Sequence, residues 1–131
     1  MAARLPNCYV PPLIPNANLG MIDVMVPFLA PAKSLSIALL DRAMLELHRH
    51  EFAARARDVL AAHRLARLVC KPPYLFADMV AYGMEERACE ADEAMANVGW
   101  ITTDDYRGYL HQLRRLPSFS PLARAFNMGQ R

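Results

Sequence analysis

The residues nearest to chemistry in this chain are histidines flanked by acids, in the stretch "ELHRHE" from Glu46 to Glu51. On a helix, Glu46 and His50 share a face at i, i+4, and His48 and Glu51 share another at i, i+3. A carboxylate beside an imidazole can begin a metal site in a helical bundle. Here the two pairs point in different directions, and no Glu-x-x-His motif elsewhere completes a di-metal centre. His48 therefore reads as a neighbour of an apolar stripe and His50 as solvated. His63 and His111 stand alone and read as structural.

Other charged runs are weaker candidates. "EERACEADE", Glu85 to Glu93, lacks the alternating oxygen ligands and glycine of a calcium loop, and reads as a solvated or salt-bridged face. Arg55, Arg57, Arg64 and Arg67 are scattered by helical phase, and the chain carries a net charge of only +2, so no nucleic-acid partner is expected. Cys8, Cys70 and Cys89 are an odd number at wide spacing, without CxxC motifs. They point to a reducing compartment and to neither a disulfide framework nor a zinc site. Glycine-rich phosphate loops, nucleophile elbows and metalloprotease helices are absent from the sequence. The expectation is a non-enzyme with no catalytic residue, no metal and no cofactor.

The elements that would position these residues are helical. Hydrophobic residues make up 54% and charged residues 21% of the 131, a composition that folds. From Leu35 to Cys70 there is neither proline nor glycine. Pro31 suits a first helical turn and Ser34 a cap, with a weaker short helix before them, capped by Asn16 or Asn18 and running toward Pro27. As one helix the stretch would extend ~54 Å, against ~36 Å for a compact globule of this size. Leu40, Met44 and Leu47 keep helical spacing, and Phe52, Ala56, Val59, Ala62, Ala66 and Val69 keep it again. Either the helix bends or breaks, or it projects beyond the body, and the five-residue step between the two sets makes "HRHE" the candidate break.

Pro72 and Pro73 make a turn. A helix from Tyr74 to Val98 follows, stopped by Gly99. Its seam, Ala77, Ala81, Met84, Ala88, Ala91, Met95 and Val98, has a coiled-coil period and mostly small residues that let backbones approach. Acidic outer positions on this helix complement the arginines of the one before, which predicts an antiparallel hairpin. Thr102 or Thr103 caps a further helix, with Asp104 and Asp105 in its first turn. Ile101 and Tyr106 hold hydrophobic-staple positions, and Tyr106, Tyr109, Leu110, Leu113 and Leu116 face one way. Ser120 and Pro121 open a short final helix.

The N-terminal stretch "LPNCYVPPLIPN" cannot build a hydrogen-bonded ladder of its own, because each proline removes a donor. Tyr9, Val10, Leu13 and Ile14 on this arm still need burial. The fold expected is all-α: a helical hairpin of long helices, one or two shorter C-terminal helices, and an extended proline-rich arm. The arm covers 1–17 and a single helical domain covers 18–131. Asp23, Pro27, Pro31 and Lys33 interrupt the most apolar window, so membrane contact is compatible with the sequence but a span is not expected.

"DYRGYLHQLRRL" resembles in part, at Tyr106 and Arg107, the Leu-Tyr-Arg motif of small helical mitochondrial accessory proteins. Asp105 stands where leucine belongs, and the motif falls late in the chain, so no family assignment follows. The function expected is a non-catalytic accessory or structural subunit of a large multi-protein assembly, with a mitochondrial respiratory or ATP-synthase complex as the favoured setting. Its partners would be other protein subunits, met by Tyr9, Val10, Leu13 and Ile14 on the arm and by Ala77, Met84, Ala88, Ala91 and Met95 on the seam. The alternatives are a virion structural protein, such as a minor capsid or cement protein, a helical-bundle metal protein or enzyme using His48 and His50, and a free-standing regulatory adaptor.

Overall fold

A computed structural model describes residues 21–71 and 75–119. These residues form four α-helices and no strand: α1 (Met21–His48), α2 (Phe52–Val69), α3 (Leu75–Ala96) and α4 (Thr103–Arg114). The all-α fold class is as expected from the sequence. The arm, with Tyr9, Val10, Leu13 and Ile14, and the short helix expected after Ser120 lie outside the described residues.

The break at "HRHE" is real and has a specific construction. His50 adopts a left-handed backbone, φ 59°. Its N–H donates to Leu47 O at 3.1 Å, and the N–H of Glu51 donates to Glu46 O at 3.0 Å. These two bonds make a Schellman cap, in which His50 takes the position usually given to glycine. Histidine tolerates that conformation better than most side chains. The His50 ring also meets Trp100 edge-on at 4.8 Å, which links this turn to the loop before α4.

The start of the first long helix differs from the expectation. It begins at Met21 and passes through both Pro27 and Pro31. Each internal proline forfeits a backbone hydrogen bond and strains the preceding turn, at about 3 kcal/mol in an isolated helix. Leu29 and Ala32 of this segment are buried against Ala66, Val69, Ala77 and Ala81. That burial is a tertiary contribution which local propensity does not contain.

The predicted α2–α3 hairpin is present, and α1 packs along both of its helices to make a three-helix bundle. α4 docks on α2. One apolar cluster fills the end nearest the 49–51 turn, with Leu40, Ala43, Val59, Leu60, Ala88 and Met95, closed by Tyr109 from α4. A second fills the other end, with Leu29, Ala66, Val69, Ala77, Ala81 and Met84. The Thr102 cap is as expected. Its Oγ1 accepts from the Asp105 N–H at 3.2 Å and donates to Asp105 Oδ2 at 2.6 Å. Tyr106, Leu110, Leu113 and Leu116 pack on the first cluster, also as expected.

α3 ends at Ala96, three residues before Gly99. Among the described residues, no helix is long and apolar enough to cross a membrane.

Candidate functional site

Two turns of α2 carry His63 and Arg67 at i, i+4, and the facing side of α3 carries Glu85 and Asp92 two turns apart. The antiparallel packing brings these four together. His63 Nε2 lies 3.1 Å from Asp92 Oδ2. His63 Nδ1 lies 3.0 Å from Glu85 Oε1, an ion pair without hydrogen-bond alignment. Arg67 reaches the same Glu85 oxygen at 3.0 Å and donates to Pro117 O at 2.7 Å, which ties the segment after α4 to the bundle. From α4, the Tyr109 hydroxyl donates to Asp92 Oδ1. The chain of contacts therefore runs Tyr109, Asp92, His63, Glu85, Arg67.

His63 is 1% exposed. Burial alone would depress its pKa, but the two carboxylates outweigh that and raise it to about 9. At neutral pH the ring is an imidazolium, hydrogen-bonded to Asp92 through Nε2 and ion-paired with Glu85 on its Nδ1 side. Burial likewise works against the Glu85 charge, and His63 and Arg67 together hold its pKa below the usual carboxylate value. Burial and the neighbouring Asp92 keep the Tyr109 hydroxyl protonated far into the basic range.

A general base or nucleophile needs a free lone pair and a substrate atom within reach. Both His63 nitrogens face carboxylates, and the cleft between α3 and α4 and the two grooves between α1 and α3 are lined by other residues. What this arrangement does is hold α2, α3 and α4 in register through one buried cation.

A second polar link joins the first three helices. Arg55 of α2 is fully buried and donates to the Ala43 carbonyl of α1 at 3.2 Å and the Ala91 carbonyl of α3 at 2.6 Å. Arg42 of α1 grips Asp58 of α2 with two donors, one of them at 2.6 Å. Asp58 is 6% exposed, so this is a partly shielded pair. Asp78 in the first turn of α3 is the exception to the pairing: it is 2% exposed, and neither carboxylate oxygen has a hydrogen-bond partner among the described residues.

Several sequence expectations are corrected here. His63 is not isolated but central. The acidic run, expected as a solvated or salt-bridged face, is salt-bridged at Glu85 and Asp92, which turn inward to His63 and Arg67. Arg55, expected to complement the acids of the next helix, is buried and donates to backbone carbonyls of Ala43 and Ala91. Ala77, Met84, Ala88, Ala91 and Met95, expected to meet partners, are 0–6% exposed beneath α1 and α2 of the same chain. They form the intrachain core because α1 folds back along the hairpin and covers the seam. His48 and His50 lie exposed, and no group of three metal-ligating side chains occurs among the described residues.

The signal that would have found the His63 site was present. Glu85 and Asp92 sit seven apart, beside the seam. His63 and Arg67 sit one turn apart on the facing helix, and closing the antiparallel hairpin brings them to that pair. No family model matches the chain, and neither a curated protein nor a solved structure matches it.

Proposed function

We propose that this chain is a non-catalytic accessory subunit that docks into a larger protein assembly. The observation that supports it is the outer face of the first two turns of α3. Leu75, Phe76, Met79 and Tyr82 are 59%, 52%, 63% and 44% exposed there. Four large apolar side chains within eight residues are more than scattered surface hydrophobics, and clusters of this kind mark interaction surfaces. The patch continues into a groove between α1 and α3 lined by Ile37, Phe76, Met79 and Val80, with a volume of about 460 Å³. Lys33, Glu86, Arg87 and Glu90 rim it with both signs of charge, the polar border a protein interface has around an apolar centre. The buried clamp fits the same reading, because a rigid bundle presents such a patch without rearrangement.

The test is co-purification of the tagged full chain from its native source, beside the double variant F76S/M79S. The expected result is a set of companion proteins at constant ratio with the wild type, lost with the variant while its circular dichroism is unchanged. A wild-type chain that is monomeric in solution, with companions identical to those of the variant, overturns the proposal. The setting of that assembly, mitochondrial in the favoured reading, is decided by which companions are found.

A further inference from the structure

Between the last turn of α3 and α4 lies a cleft of about 610 Å³. We propose that it is a binding site for a small amphipathic monoanion, an apolar chain ending in a carboxylate. Its volume is in the range of small-molecule sites. Val98, Ile101 and Leu110 give it an apolar lining, and Arg107, His111 and Arg114 line it from one side of α4.

The spacing i, i+4, i+7 sets these three cationic or ionisable groups in a row along the helix. No Asp or Glu lines this cleft, whereas the two grooves between α1 and α3 carry both signs: Asp41, Arg87 and Glu90 in one, Lys33, Glu86, Arg87 and Glu90 in the other. The single-signed wall beside an apolar lining selects a ligand with one negative end and one greasy end. Among the described residues, Arg107 pairs with Asp104 at 3.1 Å, 76% and 90% exposed. Such a pair is weak and exchanges readily for a ligand carboxylate. α4 packs against α2, while Arg107, His111 and Arg114 are exposed. The site is separate from the apolar patch of α3, so it stands or falls independently of the accessory-subunit reading.

The experiment is a titration of the isotope-labelled full chain with decanoate and with decanol, below micelle-forming concentrations, followed by amide chemical shifts. Expected are decanoate shifts at Val98, Ile101 and Leu110, with binding weakened about tenfold in R107Q/R114Q. Decanol binding should change by less than about twofold in that variant. Added salt should weaken decanoate binding to the wild type and leave decanol unaffected, a readout that needs no variant to fold. Equal affinity for decanoate and decanol, absence of a salt effect, or shifts confined to the α1–α3 groove each overturn the proposal.

Discussion

Met79 and Met84 lie five residues apart on α3 and meet opposite environments. Met84 is 3% exposed in the second apolar cluster, and Met79 is 63% exposed on the outer face. Composition does not separate them; helical phase does. The contrast extends to the whole helix. Its seam buries alanines and methionines, while Leu75, Phe76 and Tyr82 face outward. Inside the same bundle sit Arg55, His63 and Asp78, all at 2% exposure or less. Large apolar groups outside and charges inside reverse the usual distribution. The charges inside are stabilised by specific pairing, apart from Asp78. Of the apolar groups outside, Tyr82 meets Phe119 edge-on at 4.9 Å, and Leu75, Phe76 and Met79 await a partner in the proposed reading.

The largest expected effect on this contrast comes from Arg55→Ala. It removes a fully buried side chain that bonds carbonyls on two other helices. A loss of about 4 kcal/mol in urea unfolding is expected. A loss below about 1 kcal/mol would mean that the buried guanidinium is not a structural tie.

Next comes pH. The His63 pKa is raised to about 9 in the folded chain, above an unfolded value of about 6.5. The stabilisation is therefore complete below about pH 6.5 and disappears as pH rises through about 9, with an upper bound of about 3 kcal/mol. The urea midpoint should fall across that window, and His63→Gln should flatten the slope. A slope unchanged by the substitution would remove His63 as its source.

The methionine pair offers a direct comparison. Met84→Ala should cost about 3 kcal/mol, and Met79→Ala less than about 0.5 kcal/mol. Thermal unfolding of both variants measures the difference, and equal costs would contradict the assigned phase of α3.

The smallest expected effect is a gain. Asp78→Ala removes two buried oxygens without partners and should raise stability by about 1 kcal/mol. A destabilised variant would reveal a partner for that carboxylate.

How much was legible differs from element to element for a physical reason. The five-residue step from Leu47 to Phe52 marked the turn before α2, because phase is a property of neighbouring residues. Thr102 and the acids after it marked the start of α4, because a cap is satisfied within one turn. The α3 seam was readable as a buried stripe, but not what covers it, since the period is the same whether the covering helix belongs to this chain or another.

By itself, then, the sequence determined an all-α fold class, the α2–α3 hairpin, a candidate break at 48–51 and a threonine cap, Thr102 or Thr103, before α4. All of these depend on interactions within a few residues. Only the tertiary structure decided that α1 runs on through Pro27 and Pro31, that it closes over the seam, and that Arg55 and His63 are buried. Those outcomes depend on groups supplied from elsewhere in the chain, such as Asp92 across from His63 and the Ala91 carbonyl across from Arg55. A proline's cost or a charge's burial is offset only when such distant groups arrive.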